Sequence, residues 1–190
     1  MRLLLFVILI PLFLVSCQNN QSTMTVDMYN ASGDMVGTAN LNEHPEGVEI
    51  KVKMKGLSPG YHGIHVHEYP KCDAPDFKSA GNHYNPEGKE HGLMNPDGAH
   101  VGDLPNVEAD GDGLVETEVM LTGATMLDGK NSIVQKGTSI IVDQDKDDGM
   151  SQPSGNPGKR IICGQIKANA DKGKEESPTD PTETEKEEEE

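Results

Sequence analysis

The clearest pattern along the chain lies in residues 46–55, where apolar and polar positions alternate. Val48, Ile50, Val52 and Met54 fall on one side, and Glu49, Lys51 and Lys53 on the other. A period of two belongs to a strand with one face buried and one in water, so this stretch predicts a half-buried antiparallel strand. A weaker alternation runs through Thr25-Val26-Asp27-Met28-Tyr29. Asn30-Ala31-Ser32-Gly33-Asp34 reads as a hairpin turn, with residues 35–41 as the returning strand. Gly56-Leu57-Ser58-Pro59-Gly60 turns the chain again. Further strand-like runs lie at 114–121, 139–142 and 160–167, separated by long loops at about 70–112 and 143–159. No stretch carries a convincing helical period. Several short strands and two long loops predict an all-β Greek-key sandwich or barrel.

Composition supports this reading. With 21 Gly and 12 Pro in 190 residues the chain is rich in turns, and the length suits one domain plus appendages. A net charge of −16 argues against nucleic acid as a partner, since that requires Lys/Arg surfaces.

The ends differ from the body. Residues 1–16 open with Arg2 and continue in an apolar run from Leu3 to Val15, too short for a comfortable membrane span and laid out like a secretory signal. Leu14-Val15-Ser16-Cys17 resembles the bacterial lipobox, in which the cysteine is lipidated. The alternative is an ordinary signal peptide that contains a cysteine. The lipobox reading makes 17–22 a tether and 23–170 the folded domain, exported and held at the extracytoplasmic face of the cell membrane through Cys17. Residues 171–190 hold ten acids and three lysines and no large apolar side chain. Such a tail cannot bury enough surface to order itself.

Two cysteines remain, Cys72 and Cys163. In an exported domain they invite a single disulfide closing a loop of about 90 residues. Two buried free thiols are the other reading.

Five of the seven histidines fall between His65 and His100. His65 and His67 flank Val66, and strand geometry points both imidazoles to one face and Val66 to the other. His83, His91, His100 and Asp103 follow in Gly/Pro/Asn-rich loop sequence. Imidazole suits copper and zinc, and histidine with one carboxylate suits tetrahedral zinc, so this set is enough for two metal ions. Scattered surface histidines are the plain alternative, and the strand-face spacing speaks against it. Asp143-x-Asp145-x-Asp147 has the start of an EF-hand loop but lacks the glycine at position six, the glutamate at position twelve and flanking helices.

Gly-Leu-x-Pro-Gly-x-His-Gly-x-His-Val-His-Glu (56–68), Ala-Gly-x-His-Tyr-Asn-Pro (80–86), His-Val-Gly-Asp-Leu-x-Asn (100–106) and Gly-Asn-x-Gly-x-Arg-Ile-x-Cys-Gly (155–164) resemble the copper/zinc superoxide dismutases. The likeness covers about residues 23–168. It implies an eight-stranded Greek-key β-barrel that converts superoxide anion to oxygen and hydrogen peroxide. It makes His65 and His67 copper ligands, His83 the imidazolate bridging copper and zinc, and His91, His100 and Asp103 the rest of the zinc site. It pairs Cys72 with Cys163. Arg160 matches the arginine that draws superoxide to copper, and Asp147 the carboxylate linking His65 to His91. Family members form dimers, so the resemblance allows a homodimer.

The chain departs from the family pattern at one position. The family's fourth copper histidine aligns with Asp143, and neither His44 nor His62 stands where it could replace it. A carboxylate there is a hard donor for soft Cu(I) and adds negative charge where the substrate is an anion. The resemblance therefore implies firm zinc binding and weaker copper binding. It leaves open a slow dismutase or a zinc-stabilised, copper-binding or structural relative with little turnover.

Overall fold

The computed structural model describes residues 22–167. The expected signal, the Cys17 anchor and the acidic tail lie outside those residues. Nine strands are present: β1 (Thr23–Asn30), β2 (Met35–His44), β3 (Gly47–Lys55), β4 (Gly60–His62), β5 (Ile64–His67), β6 (Val107–Ala109), β7 (Leu114–Thr122), β8 (Thr138–Asp143) and β9 (Arg160–Ile166). The only helical element among the described residues is a 3₁₀ turn at Lys78–Ala80. The architecture is all-β, as expected. Seven strands form one curled antiparallel sheet in the order β5-β8-β9-β1-β2-β3-β7, and β4 pairs with β6.

The alternation in β3 has its physical counterpart: Val48, Ile50, Val52 and Met54 are buried, and Lys51 and Lys53 are exposed. They join Val26, Met28, Ala39, Leu41, Ile64, Val66, Ile140, Val142 and Ile162 in one apolar core. The β1–β2 turn closes as predicted, with Asn30 Oδ1 accepting from the backbone of Ser32 and Asp34. Most strands run one or more residues beyond the sequence expectation.

Two features were not expected. β6 interrupts the first long loop, and the run from Gly60 to His67 is split at Gly63. Counted as one bent strand, β4 and β5 bring the total to the eight implied by the resemblance. At the break the chain changes partner, from β6 to β8. Gly63 donates its N–H to Asp145 O and accepts from Asp143 N. A Cβ on Gly63 would stand 3.1 Å from the His65 ring and 3.3 Å from Asp143 Oδ2, so glycine lets the end of β8 press close to the histidine strand.

Candidate metal centre

β5 sends Ile64 and Val66 into the core and His65 and His67 to the opposite face. The loop after β5 is laid across that face by two backbone bridges, His67 with His83 and His65 with Asp103. The result is two groups of donors. Ligating atoms of His83, His91, His100 and Asp103 lie within 4.8 Å of one another, and so do those of His65, His67 and His83. His83 belongs to both. The residues brought together are those the sequence singled out, drawn from positions 65 to 103.

Asp103 organises the first group. Its Oδ2 accepts backbone N–H groups of Gly92 and His100, at 2.9 and 3.0 Å, which fixes the carboxylate. Its Oδ1 stands 2.9, 3.1 and 3.3 Å from the Nδ1 atoms of His83, His91 and His100. Donors on a tetrahedron with bonds of about 2.0–2.1 Å are separated by about 3.3 Å, so the spacing suits a zinc ion. His100 Nδ1 is not aligned for a hydrogen bond to Asp103. It and His67 Nε2, one in each group, are buried nitrogens without a hydrogen-bond partner among the described residues. Buried polar atoms are rarely left unpaired, and a cation in each group would satisfy the nitrogen that belongs to it. The donor sets therefore fit the metals implied by the resemblance.

The electrostatics differ from ring to ring. Burial raises the Asp103 carboxyl, but the nearby rings of His100, His83 and His91 outweigh burial and hold it far below the usual range. Burial lowers His67 well below an ordinary imidazole, and burial with neighbouring rings brings His83 down to about 4 despite Asp103. Burial also opposes the charge on His91, yet Asp103 and Asp147 raise it to about 9. A ring that is neutral at neutral pH, as His67 and His83 are, keeps a lone pair for a metal.

Asp147 links the two groups, as the resemblance implies. Its Oδ2 lies 2.9 Å from His65 Nε2 and its Oδ1 lies 3.1 Å from His91 Nε2. Burial opposes its ionisation, but the bonds from His65 and His91 prevail and lower its pKa. Asn106 clamps the Asp147 backbone on both sides, accepting from its N–H and donating to its carbonyl, each at 2.8 Å. Gln152 holds the His91 backbone in the same way. Neither role was anticipated. Asn106 stands in the motif at 100–106, whereas Gln152 carries no local signal.

Asp143 is buried at the end of β8, with Oδ2 3.1 Å from His65 Nδ1. It does not join the group formed by His65, His67 and His83. Burial raises its carboxyl pKa against the opposing pull of His65 and Arg160. His62 and His44 remain outside both groups. His62 is buried, with its ring nitrogens facing the carbonyls of Asp143 and Ser58, so it staples the turn before β4 to the end of β8.

Arg160 opens β9 opposite Asp143. Its Nη1 and Nη2 donate to the carbonyls of Phe77 and Gly81, at 3.0 and 2.8 Å, and Gly81 O also faces His67 Nδ1 at 3.0 Å. Phe77 is buried with Ala80, Ile141 and Cys163, and Cys72 packs against that cluster. Cys72 and Cys163 form the expected disulfide, 91 residues apart in sequence. It ties the loop that carries the arginine's acceptors to the strand that carries the arginine.

Comparison with known proteins agrees with this geometry. Residues 35–166 match the family described as "Copper/zinc superoxide dismutase (SODC)". The chain is 42% identical over 160 residues to superoxide dismutase [Cu-Zn] 2 of Aquifex aeolicus, covering 82% of this chain and 94% of that protein. It is 38% identical to superoxide dismutase-like protein YojM of Bacillus subtilis, over 77% of each. Among solved structures, a double mutant of a SOD-like protein from Bacillus subtilis superposes with a TM-score of 0.74 at 40% identity, over 76% of this chain and 97% of that one. The Cu/Zn superoxide dismutase of Brucella abortus superposes with a TM-score of 0.64 at 37% identity, over 76% and 99%. A β-barrel with two histidine groups sharing one ring, the bridging Asp147 and a match across most of the chain place this protein in the copper/zinc superoxide dismutase family.

Proposed function

We propose that the chain disproportionates superoxide to oxygen and hydrogen peroxide outside the cytoplasm. In this reading His65, His67 and His83 hold copper, and His83, His91, His100 and Asp103 hold zinc. The observation that carries it is the His83 ring, which has Nδ1 2.9 Å from Asp103 in one group while the same residue serves the other. Bound copper would supply a one-electron couple, taking an electron from one superoxide and returning it to the next.

The chain's own residues do the rest. Arg160 lines a surface cleft of about 430 Å³ together with Lys78, Lys159 and Asp76. Three cations and one carboxylate there draw a small anion towards the site, against the negative charge of the whole molecule. Asp147 orients His65 and His91. With Nδ1 turned to the zinc group in this reading, Nε2 is the His83 atom that would hold and hand over a proton.

A second reading is a zinc-stabilised member that binds copper with little turnover. Asp143 favours it, since the resemblance places a copper histidine there. Superoxide decay measured on the copper-loaded protein separates the two. The enzyme reading expects decay faster than with the same amount of free copper, and Asp143→His should raise the rate by about tenfold or more. Activity no better than free copper overturns the enzyme reading. An unchanged rate in Asp143→His removes the role given to Asp143.

A further inference from the structure

We infer that Asp143 is a clasp on His65 and not the fourth donor to the ion held by His65, His67 and His83. This deepens the proposed function and rests on it, since it takes copper as the ion in that group.

Donors around one ion with bonds of about 2.0 Å cannot stand more than about 4 Å apart, which is the distance across the ion. The ligating atoms of His65, His67 and His83 lie within 4.8 Å of one another, close enough to draw in around an ion, and Asp143 is not a member of that set. The carboxylate reaches His65 alone, at Nδ1. The other nitrogen of that ring is already taken by Asp147. His65 is thus held between two carboxylates, each bonded to a different ring nitrogen.

The main chain of Asp143 is held at that position from both sides. Its N–H donates to Gly63 O at 2.9 Å, and its carbonyl faces His62 Nδ1 at 2.9 Å. Its Oδ2 packs against Gly63, where a Cβ would stand only 3.3 Å away. A metal entering the group must displace the Asp143 hydrogen bond from His65, and it then meets three imidazoles and an open position.

Copper affinity distinguishes a clasp from a ligand, because the two predict opposite signs. Cu(II) is titrated into the zinc-loaded full chain against a chromophoric chelator, for wild type, Asp143→Ala and the nearly isosteric Asp143→Asn. Zinc content and thermal midpoint report folding in each. The clasp expects Asp143→Ala to bind Cu(II) as tightly as wild type or up to about tenfold more tightly, because one hydrogen bond no longer has to be broken. It also expects wild-type and variant Cu(II) electron paramagnetic resonance spectra to share the same principal values, with hyperfine structure from three nitrogens. Weaker binding in both variants, or principal values that move when the carboxylate is removed, makes Asp143 a ligand and overturns the inference. Wild-type protein that takes no copper at this group overturns the copper reading itself, and the clasp with it. The two failures are therefore distinguishable.

Discussion

Each oxygen of Asp147 serves a different histidine group, Oδ2 with His65 and Oδ1 with His91. An amide in its place has one acceptor and one donor, so it cannot accept from both rings. Asp147→Asn is expected to weaken zinc and copper binding by about 10–100-fold, read by chelator competition. Unchanged affinities for both metals would show that the link orients nothing. Gly155 belongs to the same device. It has a φ of +74°, and a Cβ there would collide with Asp147 Oδ1. The carboxylate thus reaches His91 only because that position lacks a side chain. Asp147 was legible in the sequence through the resemblance, which matches it to the carboxylate linking His65 to His91. Gln152 was not, because a side chain that clamps a backbone 61 residues away leaves no local pattern.

Strands with one wet face were readable from the sequence, and short strands were not. β3 announces itself through nine residues of alternation, whereas β4 and β6 have three residues each and no period to detect. β8 is buried along its full length, so only an apolar run marks it. The disulfide acts at this scale, by joining β9 to the loop after β5. In the chain-entropy picture a bridge spanning 91 residues constrains the unfolded chain strongly. Replacing both Cys72 and Cys163 with Ser is expected to cost about 2–5 kcal/mol, seen as a lower denaturation midpoint. Arg160 should also lose its fixed place, since Phe77 O and Gly81 O sit on the released loop. A slower superoxide decay that stays slow well below the midpoint would report that loss. An unchanged midpoint would remove the bridge from the account of stability.

For the whole molecule, the lipid anchor proposed at Cys17 bears on how the site would be presented. The described chain enters β1 beside the end of β2, where Ser22 O accepts from Glu43 N. Tyr29 and Asn30, at the far end of β1, pair with Cys163 and Ile162, so Arg160 lies towards the β1–β2 turn. A lipid on Cys17 would leave five residues before β1, a reach of about 20 Å, and would hold the barrel by the end remote from the arginine. On that arrangement the cleft faces away from the membrane. Cys17→Ser is expected to release the protein into the medium, measured by fractionation, and continued membrane association would count against lipidation.

The sequence by itself determined the all-β class, the exposed and buried faces of β3, the family and the set of donor residues. These follow from local periodicity and from residue types at short spacing, which survive in one dimension. Only the tertiary structure decided which oxygen of which carboxylate meets which nitrogen. The resemblance implies a metal ligand at Asp143, and the fold sets its carboxylate against one nitrogen of His65, outside the group of the other three. That outcome depends on the close packing of β5, β8 and the turn at Gly63, and no pattern along the chain encodes distances across a barrel.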